Sequence, residues 1–427
     1  MSQSMSTQSN RRRFLKTTTA TLAATAAAPS LVPASALGKE DKPAASERVV
    51  VGHIGVGNRG RSLLGGSLGV REAEVVAAAD AYATHRKAFE ARTKGKAYAD
   101  FRDLIARDDI DAVVIATPDH WHVPMALAAA RAGKDAYVEK PLGISIEQDL
   151  ICRKVFQENK RLFQYGTQQR SMDRCRHGCE LVRQGLIGEL KRIEVVAPNG
   201  GGGGKINPTD PPPVLDYDMW IGPAPMVPYT PGRCRPKGTY WNYDYSIGYL
   251  AGWGAHPLDL MIWGCDADLG QPITVEGTGD ITPDGLYNTV FNWDMNIDLG
   301  DGVEMTFKPG RDSTKFIGTE GWVRVWRHGC DAEPKSLLEK DIPMDERILP
   351  TSKNHMADFI HGVLARKQPV ATLEDAVRSD VISHLCDIAV RLERKVTWDP
   401  AKEAIVDDPE ATKMMHRDMR APWTLEA

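Results

Sequence analysis

The chain has 427 residues, 42% of them hydrophobic and 26% charged, which is the balance of a globular protein with enough apolar material for two domains. Lys and Arg number 53 against 57 Asp and Glu, a net charge of −4, and without the four basic residues among the first 36 positions the count is 49 against 57, or −8. An acidic protein has no global attraction to nucleic acid or to an anionic membrane, so neither is an expected partner.

Residues 1–36 have the pattern of an export signal and are set apart from the fold. Arg11 and Arg12 begin a basic segment without acidic residues, a weakly apolar stretch of Ala, Thr and Leu follows, and small residues at 34–36 form a cleavage site. The arginine pair favours a twin-arginine signal over an ordinary secretory one. We therefore expect a periplasmic or otherwise exported protein. No later segment reaches the roughly 18 apolar residues of a membrane span, so no stable membrane insertion is expected.

Residues 47–170 are predicted to form an α/β domain of the Rossmann type. Short apolar runs alternate with helical segments, an order that favours a parallel, doubly wound sheet. The runs are nearly continuous, as expected of strands covered on both faces. The predicted strands lie near 49–51, 75–80, 111–116 and 136–138.

The first of these strands leads into a glycine-rich turn that is typical of dinucleotide binding. Gly55 permits the tight turn, Gly57 lets the backbone approach a pyrophosphate, and Gly60 allows helix and strand to pack closely. Asp80 stands twenty residues beyond Gly60, at the end of the second strand. The predicted cofactor ligands in this part of the chain are Gly55, Gly57, Asn58, Arg59, Gly60 and Asp80.

The type of dinucleotide follows from Asp80. Its carboxylate suits the ribose hydroxyl groups of the adenosine and repels a 2′-phosphate. The next two residues, Ala81 and Tyr82, carry no cation that a 2′-phosphate could use. We therefore expect NAD as the cofactor rather than NADP.

Two more motifs follow the third and fourth strands, at the edge where an open α/β sheet binds its ligand. The sequence Ala-Thr-Pro-Asp-His-Trp-His occupies 116–122, and Glu-Lys-Pro-Leu-Gly occupies 139–143. A lysine partly desolvated near a nicotinamide cation has a lowered pKa, which suits proton exchange with a substrate hydroxyl. Lys140 is therefore the first catalytic candidate.

Residues 171–427 are predicted to form an α+β domain for substrate binding and oligomerisation. Alternating apolar and polar residues indicate an open, mainly antiparallel sheet with one covered face, through which we expect a homo-oligomer to form. Helices predicted at 354–364 and 373–392 close the chain and pack back on it. The predicted strands lie near 193–197, 289–295, 303–308 and 322–327.

A predicted helix start in this domain carries the second catalytic candidate. Pro257 fits the first turn of a helix, so His256 and Asp259 lie near its beginning and roughly on one face. His256 is a candidate proton carrier. Trp253, His256 and Asp259 are candidate substrate ligands, and the aromatic ring of Trp253 suits the face of a sugar.

The cysteines indicate neither a disulfide framework nor a metal site. There are seven, an odd number, and their spacing is scattered. Cys175, His177 and Cys179 fall on one short predicted helix, where His177 points away from the two cysteines and no second pair supplies further ligands. We predict no metal.

The order of these motifs resembles the Gfo/Idh/MocA family of oxidoreductases. The resemblance rests on the glycine turn, on Asp80, on the Ala-Thr-Pro-x-x-x-His motif beginning at 116 and on the Glu-Lys-Pro motif at 139–141, and it covers nearly everything after residue 47. It implies an enzyme that oxidises or reduces a sugar or polyol with NAD.

The resemblance also implies roles for particular residues. Lys140 would lie beside the nicotinamide and the reacting carbinol carbon. Gln168 and Arg170 would face the substrate, with a salt bridge between the domains as the alternative for Arg170. One of the two histidines at 120 and 122 is expected near the cofactor and the other as a structural residue. The further cofactor ligands so implied are Thr117, Pro118, His120, His122, Glu139 and Lys140.

One position departs from the family pattern. The pattern in the second domain is Asp-x-x-x-His-x-x-Asp, which His256 and Asp259 match, but Gly252 stands where the first aspartate belongs. The usual pairing of aspartate and histidine is therefore absent or rebuilt from elsewhere. We expect Lys140 to carry more of the proton transfer as a result.

Three functions fit these observations. The first is hydride transfer between NAD and a ring hydroxyl carbon of a sugar, polyol or glycoside. The second is NAD-dependent cleavage of a glycoside, by transient oxidation of a ring hydroxyl, elimination of the aglycone and return of the hydride; Gly252 keeps this alternative open. The third is a non-catalytic NAD- or sugar-binding protein, against which the presence of both Lys140 and His256 argues.

Replacing both Arg11 and Arg12 with Lys should leave the precursor in the cytoplasm, because the export receptor reads the arginine pair rather than bulk charge. Fractionation of cells expressing the parent and the double variant measures this. Replacing Lys16 with Arg is the matched control and should leave export unchanged. Normal export of the double variant would show that another route is used.

Overall fold

Two β-sheets with flanking helices make up the fold. The computed structural model describes the chain over residues 43–426, with gaps at 266–269 and 301 and with the backbone alone at 236 and 237. The predicted export signal at 1–36 lies outside the described residues. From residue 47 onward the chain forms one compact unit.

The first sheet contains six strands, β1 Val49–Ile54, β2 Ala73–Ala79, β3 Lys96–Tyr98, β4 Ala112–Ile115, β5 Asp135–Val138 and β6 Phe163–Tyr165. All its pairs are parallel and the strand order is β3-β2-β1-β4-β5-β6, which is the order of a Rossmann fold. The predicted fold class of this domain is confirmed. The sequence pattern did not indicate β3, which has only three residues and no apolar run.

Five helices cover this sheet, α1 Asn58–Leu68, α2 Ala83–Thr93, α3 Phe101–Ile105, α4 Asp119–Arg131 and α5 Ile146–Glu158. Every residue of β4 and β5 is buried, because helices pack on both faces. Strand order reverses between β1 and β4, so the loops after these two strands part and leave a crevice between them.

The second sheet contains nine strands, β7 Leu190–Ala197, β8 Ile273–Asp280, β9 Asn292–Asp298, β10 Glu304–Pro309, β11 Ser313–Gly318, β12 Trp322–Trp326, β13 Gly329–Glu333, β14 Val396–Asp399 and β15 Ala404–Ile405. Their order is β13-β12-β11-β7-β10-β9-β8-β14-β15, and among the neighbouring pairs of the described residues only β7 and β10 run parallel. The predicted, mainly antiparallel sheet is confirmed. The pattern missed β8, where Gly277 and Gly279 interrupt the alternation.

The remaining helices are α6 Asp173–Arg183, α7 Tyr217–Ile221, α8 Pro236–Trp241, α9 Tyr249–Gly252, α10 Ala255–Cys265, α11 His355–Ala365, α12 Leu373–Leu392 and α13 Pro409–Lys413. The two predicted closing helices correspond to α11 and α12. In the described part of the chain, none of the helices has both the length and the apolar character that crossing a bilayer demands.

Helix α12 ties the two parts of the fold together. Its Asp380 accepts a hydrogen bond from the Tyr165 hydroxyl on β6 at 2.7 Å and another from the backbone N–H of Leu142 at 2.6 Å. Its Ser383 donates to the carbonyl oxygen of Leu250 on α9 at 3.1 Å. The helix therefore fixes the loop after β5 relative to α9, which places Lys140 opposite the second domain.

Candidate active site

A cavity of about 610 Å³ lies where the carboxyl ends of β1, β2, β4 and β5 face helices α8, α9 and α10. Its lining includes most of the residues that the sequence singled out. They are Gly55, Gly57, Asn58, Arg59, Asp80, Thr117, Pro118, His122, Glu139, Lys140, Gln168, Trp253 and His256.

The glycine turn at one end of the cavity is shaped for close approach. Gly55 has a φ of +80°, and a Cβ atom there would lie 2.5 Å from the carbonyl oxygen of Ala116. A Cβ atom at Gly60 would lie 2.0 Å from the carbonyl oxygen of Gly55. A side chain is therefore excluded at Gly55 and at Gly60. Helix α1 begins directly after Gly57, with its first N–H groups available to bind an anion. The turn fits a pyrophosphate.

Asp80 is held at the same end of the cavity by several neighbours. Its carboxylate accepts hydrogen bonds from the backbone N–H groups of Val56 and Tyr82, each at 2.8 Å, and lies 3.1 Å from Nδ1 of His85. The guanidinium of Arg86 donates to its carbonyl oxygen at 2.6 Å. His85 and Arg86 lie beyond the two residues that follow Asp80 in sequence and were not predicted, so the preference for NAD rests on the carboxylate alone.

Arg59 and Glu139 form an ion pair across the crevice. The guanidinium Nε and Nη2 of Arg59 both lie 2.6 Å from Oε1 of Glu139. The side-chain amide of Gln168 donates to the same Glu139 oxygen at 2.9 Å and to the Tyr137 hydroxyl at 2.7 Å. Arg59, Glu139 and Gln168, which were predicted from separate motifs, are therefore in contact. The charges of Arg59 and Glu139 cancel each other beside Lys140.

Lys140 is half-buried, with its amine withdrawn from solvent, and it bridges the two domains. Its Nζ donates to the carbonyl oxygen of Gly252 and lies 5.8 Å from the ring centroid of Tyr240. Burial lowers the pKa of Lys140, and the carboxylates of Glu139 and Asp119 oppose that shift. The neutral amine is therefore more accessible than in a solvated lysine, as a general base requires.

Gly252 contacts Lys140 through its backbone only. A Cβ atom at this position would lie 3.5 Å from Tyr249 and 3.9 Å from Tyr240, which is ordinary van der Waals contact. The backbone does not need glycine here for steric reasons. The position of the missing aspartate is therefore next to the aromatic rings of Tyr249 and Tyr240 and would tolerate a side chain without a clash at Cβ.

Asp119 supplies a buried carboxylate that the sequence argument did not single out. It is the first residue of α4, directly after the third predicted strand, and its Oδ2 has no hydrogen-bond partner among the described residues. Burial raises the pKa of Asp119, while His122 and Lys140 oppose the shift. Its position just after a predicted strand was the sequence feature from which Asp119 could have been identified as a site residue.

The two histidines at the start of α4 have different environments. His122 lines the cavity, and its two ring nitrogens lie 2.6 Å from the carbonyl oxygen of Pro141 and 2.9 Å from that of Thr117. His120 is buried behind the wall, where its Nε2 lies 3.1 Å from the carbonyl oxygen of Trp220, and burial lowers its pKa to about 3. The structure does not place His120 among the cofactor ligands, because its ring faces the core.

His256 lies in the cavity wall on α10, in the part formed by the second domain. Its ring centroid is 5.8 Å from that of Trp253, and its Nδ1 is buried without a partner among the described residues. Burial and, next, the nearby cation of Lys140 hold the pKa of His256 well below its usual range. The ring is therefore neutral and can accept a proton or a hydrogen bond.

Arg170 and Asp259 do not reach the cavity, which corrects their predicted role as substrate ligands. Nη2 of Arg170 lies 2.7 Å from Asp259 Oδ1, and its Nη1 lies 2.8 Å from Asp375 Oδ2. The arginine and Asp259 side chains are 2% and 0% exposed, so they bind each other in the protein interior. The contact with Asp259 agrees with the alternative prediction for Arg170, a salt bridge between the two domains.

The cysteines near the second domain's core lie apart from any ligand cluster. The thiol of Cys175 donates to the carbonyl oxygen of Trp326 at 3.3 Å, and that of Cys179 donates to the carbonyl oxygen of Leu260 at 3.6 Å. Across the described ranges, three His, Cys, Asp or Glu side chains nowhere converge as a metal site would require.

Comparison with known proteins gives matches over most of the chain. A model of the Gfo/Idh/MocA oxidoreductase family described as its NAD-binding Rossmann fold matches residues 49–167, and one described as its C-terminal alpha/beta domain matches residues 198–425. The predicted NAD-binding domain is confirmed.

Curated relatives match over a shorter length. A glycosyl hydrolase family 109 protein of Shewanella baltica is 33% identical over 213 residues, and an alpha-N-acetylgalactosaminidase of Shewanella oneidensis is 32% identical over 210 residues. Each match covers 42% of this chain and 44% of the relative, so less than half of either relative is matched.

Two solved structures share the fold. Aldose-aldose oxidoreductase from Caulobacter crescentus, complexed with glycerol, has a TM-score of 0.61 at 16% identity. Scyllo-inositol dehydrogenase from Lactobacillus casei, with bound NAD(H) and scyllo-inositol, has a TM-score of 0.59 at 19% identity. Each match covers 82% of this chain and 99% of the other chain. At these identities the likeness concerns the fold alone.

Replacing Arg170 with Met should lower the free energy of unfolding by about 3–5 kcal/mol, because Asp259 would remain buried without its partner. Denaturant unfolding monitored by circular dichroism measures the change. Lys308→Met removes an exposed partner of Asp294 and should have a much smaller effect. Adding Asp259→Leu to Arg170→Met should recover part of the loss, and equal stability of the Arg170 and Lys308 variants would contradict the argument.

Replacing Asp80 with Asn should narrow the preference for NAD over NADP by about tenfold or more, since a hydrogen bond to a charged group contributes about 1.5–3 kcal/mol. Isothermal titration calorimetry with both nucleotides measures the ratio of dissociation constants. Asp103→Asn changes an exposed carboxylate of the same domain and should leave the ratio unchanged. Tighter binding of NADP than NAD by the parent protein would show that the carboxylate does not select the nucleotide.

Proposed function

The chain belongs to the Gfo/Idh/MocA family of oxidoreductases, and from this premise we propose that it transfers hydride between NAD and a ring hydroxyl carbon of a sugar, polyol or glycoside. The observation that carries the proposal is the buried amine of Lys140, which shares a cavity with the neutral ring of His256. A base next to a nucleotide site is what removal of hydride from a carbinol requires.

The residues of the first domain fit the cofactor. The turn at 55–60 would hold the pyrophosphate on backbone N–H groups, and Asp80 would accept hydrogen bonds from the ribose hydroxyls. When bound, NAD supplies the hydride acceptor or donor. Because Arg59 is paired with Glu139, the two side chains together add no net charge to the nucleotide end of the cavity.

Lys140 would act as the proton acceptor of the oxidation. As the C–H bond of the carbinol breaks and its electron pair leaves as hydride, the hydroxyl proton moves to Nζ of Lys140 and a carbonyl forms. The carboxylates of Asp119 and Glu139 stabilise the resulting ammonium, and the carbonyl oxygen of Gly252 accepts one of its N–H groups. The reverse reaction returns the proton from the ammonium to the new hydroxyl.

His256 would share this work from the second domain. Its neutral ring can accept a hydrogen bond from a substrate hydroxyl, and Trp253 beside it offers a flat face to a sugar ring. Gly252 carries no carboxylate to orient the imidazole, so His256 is a weaker base than Lys140 in this arrangement.

NAD-dependent glycoside cleavage is the second candidate. It is favoured by two curated relatives, one named as a family 109 glycosyl hydrolase and the other as an alpha-N-acetylgalactosaminidase, and by the departure at Gly252. Oxidation of a ring hydroxyl acidifies the neighbouring C–H, loss of that proton expels the aglycone, and addition of water with return of the hydride restores the sugar. Released aglycone without net NADH distinguishes this reaction from simple oxidation.

Export and self-association complete the proposal. Delivery to the periplasm follows from the arginine pair at positions 11 and 12. Strand β9 alternates exposed and buried residues along its whole length, so the second sheet presents one uncovered face on which a second copy could pack.

Replacing Lys140 with Met should lower the rate of hydride transfer by about 10²–10⁴, the usual contribution of a general base. Nucleotide binding should persist, because Lys140 is not part of the glycine turn. His256→Asn should lose a similar or smaller factor. Single-turnover absorbance at the reduced nicotinamide band, with NAD saturating and a panel of sugars and glycosides, measures the rate, and the same samples are assayed for released aglycone.

The matched control is Lys154→Met, which removes an exposed lysine from α5 and should leave the rate unchanged. Hydride transfer at the parent rate by Lys140→Met would show that the proton goes to another group. If the parent protein shows no hydride transfer and releases no aglycone, both proposed reactions are ruled out.

A further inference from the structure

Arg327 lies in the tight turn between β12 and β13 and lines the cavity. The turn is anchored from behind by the thiol of Cys175, which donates to the carbonyl oxygen of Trp326 at 3.3 Å. The guanidinium carbon of Arg327 lies 5.6 Å from the ring centroid of Trp253, whose ring is in turn 5.8 Å from that of His256. The charge therefore sits at the end of the cavity that His256 occupies.

The acids that line this cavity already have other partners or roles. Among the described residues they are Asp80, Asp119 and Glu139. Asp80 lies at the glycine turn, Glu139 is paired with Arg59, and the carboxylate of Asp119 acts on the Lys140 amine.

Arg327 itself forms no ion pair within the described part of the chain, and its guanidinium faces the Trp253 ring. A guanidinium stays charged at any physiological pH. His256 is neutral here and gives no negative charge to balance it. The substrate end of the cavity therefore holds a cation without a counter-charge from the described residues.

We propose that Arg327 forms an anion subsite and that the substrate is a sugar bearing an anionic oxygen group, such as a carboxylate or a sulfate or phosphate ester. The inference rests on the proposed function, because it assumes that a sugar ring places one hydroxyl at Lys140. The guanidinium then binds the anionic oxygens in a bidentate manner, while Trp253 contacts the apolar face of the ring.

The position of the cation explains how such a group would set orientation. Lys140 is reached from the first domain and Arg327 from the edge of the second sheet, so a ring held at both contacts cannot rotate freely between them. A neutral sugar lacks the second contact and leaves the guanidinium without a partner, which costs free energy in a partly buried site. The subsite therefore selects the substrate as well as binding it.

The test is calorimetry on the full protein saturated with NAD. The probes are galacturonate, galactose 6-sulfate and galactose 6-phosphate, with galactose and N-acetylgalactosamine as neutral comparators. We expect the parent to bind at least one anionic probe about 10- to 100-fold more tightly than galactose, as a charge-assisted hydrogen-bond pair provides. Which anionic probe binds best distinguishes a carboxylate from an ester.

Arg327→Gln should abolish the preference for the anionic probe, leave the affinity for NAD unchanged and bind galactose at least as tightly as the parent does, because no guanidinium is then left without a partner. Arg327→Lys should retain part of the preference. Arg324→Gln is the matched control, since Arg324 is exposed on β12 and its guanidinium stacks 5.3 Å from the Trp326 ring. It should keep the full preference.

Three results would overturn the subsite: tighter binding of either neutral sugar than of every anionic probe, an equal loss of all affinities in Arg327→Gln, or binding of none of the probes. Hydride transfer is measured separately on the parent. Anion preference without hydride transfer would refute the proposed oxidation and leave the subsite standing. Hydride transfer with a neutral sugar, without any preference for an anionic probe, would refute the subsite and leave the proposed oxidation standing.

Discussion

Burial of the Lys140 amine is the constraint on which the rest of the site depends. A desolvated ammonium is costly, so the protein surrounds it with two carboxylates from strand ends, at Asp119 and Glu139, and with one backbone carbonyl from the second domain. The two carboxylates oppose the lowering of the lysine pKa without cancelling it. The two domains therefore have to keep a fixed relative position, because the carbonyl oxygen of Gly252 reaches Nζ only when α9 lies over the end of β5.

A second buried network, on the far side of the loop that carries Lys140, stabilises this relative position. Asp380 of α12 binds the N–H of Leu142, and burial, followed by the nearby Asp149, raises the pKa of Asp380 to about 8. Both carboxylates are in the core, so the loop carrying Lys140 is fixed by polar groups that never contact solvent. Helix α12, more than 200 residues further along the chain, thus determines where a residue of the first domain points.

Local spacing made part of this arrangement predictable. The glycine turn, Asp80 and Lys140 follow strand ends directly, and parallel strands bring such ends together whatever the rest of the fold does. The pairing of Arg170 with Asp259 and the entry of Arg327 into the cavity depend on contacts between residues far apart in sequence, which no local pattern encodes. His120 and His122 show the limit most clearly, since a two-residue step along one helix places one ring in the core and the other in the cavity wall.

The tolerance of position 252 for a side chain has an evolutionary consequence. Its backbone adopts a conformation that any amino acid tolerates, and a Cβ atom there would touch its neighbours only at normal contact distances. A codon for glycine differs from a codon for aspartate by one nucleotide. Lineages of this fold can therefore gain or lose a carboxylate beside the active amine in one mutational step, without rebuilding the scaffold, and so explore new chemistry while keeping the same nucleotide site.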